Sequence, residues 1–146
     1  MSNIITVYKN IHQVDTPFFR EVEVILKRIK EGASKNLVIS IRKEEDKTKR
    51  NELKKQLPSI CFSGKFNQRQ DASLISHSGI ICLDFDGYKT QKDLLADKAK
   101  FAKNKFVYSV FISPSGKGLK CLVRIPPIKE NHVGYFVALE NHFKSK

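Results

Sequence analysis

The spacing of apolar residues predicts an α+β protein whose second half, about residues 79–146, is a ferredoxin-like, RNA-recognition-motif-like split βαβ unit. Residues 79–86 are apolar on both faces of a strand, as expected at the centre of a sheet. Residues 90–104 have helical spacing, and residues 106–113 and 119–126 are two strand-like runs around a short glycine-containing turn. Strand, helix, strand, strand is the order in which such a unit begins.

The N-terminal part predicts an α/β extension over residues 1–58. An apolar run at residues 4–8 predicts a strand, and Thr16-Pro17 predicts the start of a helix that Gly32 ends. The apolar face of that helix consists of Phe18, Val22, Ile25, Leu26 and Ile29. Residues 37–41 predict a second strand, and the charge-dense RKEEDKTKRNELKKQ after it predicts a solvated helix or a loop.

From Ser59, SICFSGKF predicts a strand that ends in a turn, so we expect a single domain over residues 1–146 with its core at 59–146. Thr90, with Asp93 three residues later, predicts the N-terminus of a helix, and Asn131 predicts the start of a last helix. A split βαβ unit has one further strand after that helix. We therefore expect a C-terminally incomplete core, with the N-terminal extension covering the open sheet edge.

Charge is the clearest compositional signal, because the chain has 27 Lys and Arg but only 15 Asp and Glu, which gives a net charge of +12. It suits a polyanionic partner such as DNA, RNA or a nucleoside triphosphate, with general solubility as the alternative reason.

The cysteines lie far apart in apolar runs and lack CxxC spacing, which predicts core residues in a reducing, cytoplasmic compartment. No apolar run approaches the ~20 residues that span a bilayer, and the histidines show no metal-ligand spacing.

Two carboxylates end the apolar strand in ICLDFDG. Asp84 and Asp86 are two residues apart, so a strand projects both from one face, about 6.5 to 7 Å apart. Buried carboxylates need a counter-charge, and a divalent cation such as Mg or Mn, held by Asp84 and Asp86, supplies one. The alternative is that Asp86-Gly87 only forms a turn while Asp84 pairs with a lysine.

A glycine-containing turn, SPSGKGLK, joins the last two strands. It lacks the first glycine and the final hydroxyl of a Walker A loop. Its backbone N–H groups and nearby cations nevertheless predict a binding site for phosphate. The predicted phosphate-binding residues are Ser113, Ser115, Gly116, Lys117, Gly118, Lys120 and Arg124. An ordinary hairpin on a basic protein is the alternative.

The acids and the turn are expected to share one face, because strands one and three of a split βαβ sheet are neighbours. Metal-assisted in-line attack on a nucleoside triphosphate needs carboxylates for metal ions and cations for phosphate in one place. The sequence therefore predicts Asp84 and Asp86 as catalytic residues.

LKKQLPSICFSGKF, HSGIICLDFDG and SPSGKGLKCLVRI resemble the primase-like N-terminal domain of VirE-type (virulence-associated protein E) proteins, related to the archaeo-eukaryotic primase superfamily. The resemblance covers roughly residues 50–146. It implies that Asp84 and Asp86 bind catalytic metal and that SPSGKGLK contacts the incoming nucleotide, with Lys120 where histidine is usual. It also implies DNA synthesis in mobile-element or phage replication, with a helicase as partner, and a third acidic motif on a strand after the last helix. The chain would then be a fragment, or a degenerate domain that binds without catalysis.

Two other classes of protein stay open. DxD phosphatases begin with an apolar strand ending in DxDG, although Tyr88 stands where their threonine is expected. A non-catalytic nucleic-acid-binding module would use Phe106 and Tyr108 for stacking and lysines for phosphates. Strict alternation would place Phe106, Tyr108, Val110 and Ile112 together on one face of their strand.

Overall fold

The computed structural model describes residues 3–144 and confirms an α+β protein, with five α-helices and three small antiparallel sheets in that part of the chain. These elements form two compact units. One comprises the residues up to Ser78 together with Pro114–Gly116, and the other comprises Gly79–Ser113 and the residues from Lys117 on. Residues 59–78, which the sequence grouped with the core, thus lie in the first unit, and the assignment of 1–146 to one domain stays a prediction.

The first unit contains a three-stranded and a two-stranded antiparallel sheet together with three helices. In chain order its elements are β1 (Ile4–Tyr8), β2 (Phe18–Glu21), α1 (Val22–Lys30), α2 (Lys35–Lys43), α3 (Lys47–Lys54), β3 (Ser59–Cys61), β4 (Gly64–Phe66) and β5 (Leu74–His77). Strand β1 lies between β2 and β3, and β4 pairs with β5. The Thr6 hydroxyl links the sheets, because it donates to the Gly64 carbonyl at 2.7 Å and accepts from the Phe66 N–H at 2.9 Å.

Two predictions for the N-terminal part are wrong, while the strand at residues 4–8 and the exposed helix in the charge-dense segment are confirmed. The helix expected from Thr16-Pro17 begins only at Val22, because Phe18–Glu21 pairs with β1 as an edge strand. The strand expected at residues 37–41 is instead part of α2, which buries Ile41 and leaves Ile39 exposed. Such a short apolar run fits both periodicities, so tertiary packing decided between them.

The second unit has the predicted order of elements. They are β6 (Ile80–Phe85), α4 (Gln91–Ala102), β7 (Val107–Ile112), β8 (Leu119–Arg124) and α5 (His132–Lys144), with a 3₁₀ turn over Lys129–Asn131. Strand β8 lies between β6 and β7 and is antiparallel to both. The first and third strands are therefore neighbours, as expected for a split βαβ unit.

Side chains at alternate positions of this sheet form a core with α4 and α5. Its buried members are Ile81, Leu83, Leu94, Phe101, Leu119, Cys121, Val123 and Phe143. The opposite face of β6 and β8, which we call the charged face, carries Asp84, Lys120 and Arg124, since these residues alternate with the core positions. The helices thus cover one face, and these three charged residues lie on the other, beside the buried Ile80 and Leu122.

The ends of α4 are fixed by side chains. The Thr90 hydroxyl accepts a hydrogen bond from the Asp93 N–H at 3.1 Å, which confirms the predicted cap. The helix ends at Ala102, just before the predicted Asn104. The Asn104 side chain accepts from the Phe106 N–H at 2.9 Å, and its carbonyl accepts from the Val107 N–H at 3.1 Å, so this residue forms the turn into β7.

A β-bulge interrupts β7 at Tyr108. Val107 pairs with Val123 and Ser109 pairs with Leu122, so Tyr108 is an extra residue in the strand. Val110 and Ile112 pack against the core, whereas the Tyr108 ring lies beneath Arg124 of the charged face. The strict alternation expected for Phe106, Tyr108, Val110 and Ile112 is therefore wrong, because the bulge shifts the register by one residue.

The N-terminal extension does not complete this sheet. Within residues 3–144 the sheet of the second unit has three strands, and β1 pairs with β2 and β3 instead. The same stretch contains no helix that is both long and apolar enough to cross a membrane.

Candidate functional site

The centre of the site is an ion pair across two neighbouring strands of the charged face. Asp84 on β6 stands directly opposite Lys120 on β8, and the Lys120 Nζ donates to the Asp84 Oδ1 at 2.9 Å. The Asp84 side chain is 54% exposed and that of Lys120 is 32% exposed. The lysine is therefore held by the carboxylate while both side chains keep access to solvent.

The electrostatics of the pair extend to its neighbours. Burial lowers the pKa of the Lys120 ammonium, but the hydrogen bond and the negative charge of Asp84 raise it further, so the pKa lies above its usual value. Burial and the Asp84 charge raise the pKa of the Cys82 thiol to about 12. The Cys82 Sγ lies 3.9 Å from the Asp84 Oδ1 and can only donate to it. At neutral pH the site thus contains an ammonium, a carboxylate and a neutral thiol.

Asp86 follows β6 and faces the start of β8. The register that pairs Asp84 with Lys120 continues to place Asp86 opposite Gly118. A methyl group on Gly118 would stand 2.5 Å from the Asp86 Oδ1, 2.9 Å from the Phe85 carbonyl oxygen and 3.2 Å from the Ser113 Oγ. Only glycine leaves room for the carboxylate and the buried Ser113 hydroxyl at this point, so Gly118 shapes the site through its missing side chain.

Tyr88 braces the loop that follows the two aspartates. Its hydroxyl donates to the Asp97 Oδ2 on α4 at 2.7 Å, and its N–H donates to the Lys117 carbonyl at 3.2 Å. Burial, together with the bond to Asp97, raises the pKa of the Tyr88 phenol. Gly87, with φ +82°, permits the turn between Asp86 and Tyr88. The loop is therefore fixed to both the helix and the hairpin.

The structure brings together only some of the predicted phosphate-binding residues. Ser113, Gly118 and Lys120 lie beside the two aspartates, and Lys117 is exposed next to them in the hairpin. Ser115 and Gly116 belong to the first unit, in which the Arg42 Nε donates to the Pro114 carbonyl at 3.2 Å.

Arg124 is not part of this group. It lies four residues beyond Lys120 on β8, roughly 13 Å away along the strand, with its guanidinium over the Tyr108 ring. Whether it binds phosphate together with the hairpin stays a prediction.

The hairpin also uses one amide that was expected to bind an anion. The Ser113 N–H donates to the Gly118 carbonyl at 2.9 Å, so this amide closes the hairpin instead.

The two carboxylates suit a hard divalent cation, since magnesium typically uses one or two carboxylates together with substrate phosphates. Among the side chains that the structure describes, no three of His, Cys, Asp or Glu form a group that could hold a metal ion. Asp84 does not require a metal ion as its counter-charge, because it is half exposed and Lys120 already supplies one. Asp84 and Asp86 therefore fit a cation that brings phosphate oxygens as further ligands.

The fold and the site define a class of protein, an α+β domain in which a DxD strand end faces a basic hairpin. The chain belongs to the family described as BT4734-like, N-terminal domain, whose model matches residues 52–141, more than half of the chain. The match includes Asp84, Asp86 and Lys120. No curated protein and no solved structure gives a significant match to the chain. The relation to VirE-type primases stays a prediction.

Sequence reasoning missed the roles of Tyr88 and Cys82 and the bulge at Tyr108. Tyr88 was considered only as a departure from a phosphatase pattern and Cys82 only as a core residue. Tyr108 was named as a stacking residue but was placed on the same face as Val110 and Ile112. Cys82 had a usable signal, because it precedes Asp84 by two residues and a strand places both on one face. The bulge at Tyr108 has no comparable signal in the local sequence.

Proposed function

We propose that this domain is a primase-polymerase-type nucleotidyltransferase domain that binds a nucleoside triphosphate together with Mg or Mn. One observation carries the proposal: Asp84, Asp86 and Lys120 meet at one end of β6 and β8, beside the buried Ser113 hydroxyl and Gly118. Carboxylates for a cation and an ammonium for phosphate in one place are what metal-assisted phosphoryl chemistry requires.

Lys120 is the residue that would change partner when the nucleotide binds. It holds the Asp84 carboxylate at 2.9 Å, and its flexible stem lets the ammonium turn to a triphosphate oxygen. Asp84 and Asp86 would then hold the cation, which polarises the phosphate and stabilises the leaving pyrophosphate. The Gly118 backbone leaves space for the Asp86 carboxylate, and Tyr88 keeps the loop in place. On this account the cation and the triphosphate bind together. The triphosphate draws the Lys120 ammonium away from Asp84, and the cation then replaces that ammonium as the counter-charge of Asp84.

The setting of this activity is also proposed. The resemblance described above supports DNA as the nucleic-acid partner, replication of a mobile element or phage as the process, and a helicase as a further partner. The net charge of +12 supports a polyanionic partner in general. The three cysteines are thiols in the structure, which supports the reducing, cytoplasmic compartment expected from the sequence.

Calorimetric titration of manganese and a deoxynucleoside triphosphate tests the proposal. We expect metal-dependent triphosphate binding by the wild type and none by the Asp84→Ala/Asp86→Ala variant. A Glu45→Ala/Glu130→Ala variant is the matched control, because it removes the same charge from exposed positions in other parts of the chain. Equal binding by the wild type and the Asp84/Asp86 variant would contradict the proposal.

A second function is favoured by the ion pair itself. Because Lys120 already neutralises Asp84, the fold has no electrostatic need of a cation at this position. The domain would then be a non-catalytic nucleic-acid-binding module. Asp84→Ala separates the two functions, since a module that only binds should keep or gain affinity for nucleic acid when a negative charge is lost, whereas a nucleotidyltransferase should lose triphosphate binding.

A further inference from the structure

The end of the charged face away from Asp84 carries two aromatic rings, each with a cation over its face. The Arg124 guanidinium lies 4.8 Å from the centroid of the Tyr108 ring, and the Lys105 Nζ lies 5.1 Å from that of Phe106. The Arg124 N–H donates to the Phe106 carbonyl at 2.9 Å, so the two pairs are directly joined through the backbone. We call Lys105, Phe106, Tyr108 and Arg124 the stacking surface.

The Phe106 ring is exposed although its backbone is held. It is 47% exposed and lies outside the core of the second unit. The Asn104 side chain accepts from its N–H, and its carbonyl accepts from Arg124, so the residue is fixed on both sides. A ring that is positioned but not packed is suited to binding a partner, because little conformational entropy is lost on contact.

The stacking surface lies in a part of the sequence without acidic residues. Residues 98–129 contain eight Lys or Arg and no Asp or Glu. The eight are Lys98, Lys100, Lys103, Lys105, Lys117, Lys120, Arg124 and Lys129. Lys100 and Lys103 also stabilise the C-terminal end of α4, but Lys105 and Arg124 lie outside that helix, so the helix dipole does not account for them. The excess of positive charge in this part of the chain favours a polyanionic ligand.

The geometry points to a single-stranded nucleic acid as the ligand of the stacking surface. Its bases would stack on the exposed Phe106 ring, from which the flexible Lys105 side chain can turn away, and on the planar Arg124 guanidinium that covers the Tyr108 ring. Its phosphates would meet Lys105 and the other lysines nearby. Aromatic rings beside cations bind single strands with little sequence preference, because every base has a π face. Bases inside a duplex are already stacked on one another and offer no free face. This inference rests on the proposed function for the class of partner, and it adds the location and the chemistry of binding.

Fluorescence anisotropy with labelled oligothymidylate and oligouridylate tests the surface. We expect Phe106→Leu to weaken binding roughly 5- to 100-fold, the effect of losing one stacked base. Phe136→Leu is the matched control, since Phe136 is a similarly exposed phenylalanine on α5, and it should bind as the wild type does. Phe106→Tyr should retain binding. Thermal melts of the variants establish that each is folded.

The salt dependence of oligonucleotide affinity separates the ionic contribution to binding from the contribution of stacking. Arg124→Gln should weaken binding to both oligonucleotides and reduce the slope of log affinity against log salt by about 1. Lys47→Gln removes one exposed charge from the first unit and should leave that slope unchanged. If only one oligonucleotide responds to Phe106→Leu, that sugar type is the ligand.

Equal affinities of the Phe106→Leu and Phe136→Leu variants for both oligonucleotides would overturn the inference, as would equally tight binding of a duplex that does not depend on Phe106. A different result would contradict the proposed function. If Phe106 is needed for oligonucleotide binding but the triphosphate is not bound in an Asp84-dependent and Asp86-dependent way, the stacking surface stands and the nucleotidyltransferase does not. If triphosphate binding depends on Asp84 and Asp86 but oligonucleotide binding does not depend on Phe106, the proposed function stands and the stacking surface is refuted.

Discussion

Lys120 and Arg124 are four residues apart on the same face of β8, and they have different kinds of partner. Lys120 is partly buried and donates to a carboxylate, whereas Arg124 is exposed and lies over an aromatic ring. A carboxylate holds a cation until another anion replaces it, while a ring leaves the charge of the cation in place. The Lys120 end of β8 is thus suited to exchanging one anionic partner for another. At the Arg124 end, an anionic ligand can bind without displacing the ring.

Disruption of the core that supports both ends of β8 should abolish triphosphate binding and oligonucleotide binding together. Phe101 is buried between Phe85 and Phe143, with ring centroids 4.8 and 5.2 Å away. We expect Phe101→Ala to lower the free energy of unfolding by about 3–5 kcal/mol, measured by urea denaturation. Leu95→Ala on the same helix is the control, because Leu95 is half exposed, and it should cost about 1 kcal/mol or less. Retention of either ligand by a destabilised Phe101→Ala domain would show that the ends do not share this support.

A methyl group at Gly118 should damage only the end near Asp84. Gly118→Ala places its new carbon against the Asp86 carboxylate and the Phe85 backbone. We expect a loss of about 1–3 kcal/mol in the free energy of unfolding and a loss of triphosphate binding, with unchanged oligonucleotide binding.

Gly134→Ala is the control of opposite sign. Gly134 lies in α5, and nothing stands within 4 Å of an added methyl group. The substitution should stabilise the domain by about 0.5–1 kcal/mol. A Gly118→Ala variant as stable as the wild type would contradict the close approach of Asp86.

The ion pair should give the stability of the domain a pH dependence that Lys120→Met removes. The folded-state pKa of Lys120 is raised, so the contribution of the pair is fully present below the unfolded pKa of about 10.4. It is lost as pH rises through the folded-state value. The difference in free energy of unfolding between wild type and Lys120→Met should therefore shrink above about pH 10.

Lys92→Met is the control for this measurement, because Lys92 is an exposed lysine on α4 of the same unit, and the difference between wild type and this variant should not shrink in the alkaline range. A difference between wild type and Lys120→Met that stays constant into the alkaline range would mean that the ion pair does not contribute to stability.

The smallest expected effect is on the reactivity of Cys82. Its pKa of about 12 results mainly from burial and secondarily from Asp84, so the thiol should alkylate slowly at pH 8. Asp84→Asn removes the charge and should increase the iodoacetamide rate at Cys82 modestly, as followed by peptide mass spectrometry. Cys121, whose pKa burial raises to about 11, should not change. An equal increase at both cysteines would indicate loosening of the domain rather than an electrostatic effect.

The sequence predicted the second unit far better than the first. Strand β6 and the cap at Thr90 follow from a long apolar run and a local hydrogen bond, which sequence patterns record directly. The pairing of β6 with β8 follows from the strand order of a split βαβ unit. Strand β2 and helix α2 are short, and their states depend on pairing with β1 and on burial of Ile41. Interactions with distant parts of the chain decide such segments, and a local pattern does not contain them.

The site was predicted in part for the same reason. The neighbouring positions of β6 and β8 follow from strand order, and the alternative in which Asp84 pairs with a lysine named the kind of contact that the structure contains. The register that selects Lys120 was not predicted. The space that Asp86 takes above Gly118 depends on atomic distances between two strands. Whether the pair serves a metal stays a prediction.

The bulge at Tyr108, and not residue identity alone, determines which face of the sheet the Tyr108 ring lies on. Without the bulge, Tyr108 would continue the alternation of Val110 and Ile112, and its ring would lie on the face that the helices cover. Among members of this family, a strand β7 that lacks the bulge would therefore lack the stacking surface even where Phe106, Tyr108 and Arg124 are all present. A comparison of residue identities at these three positions would not reveal that difference.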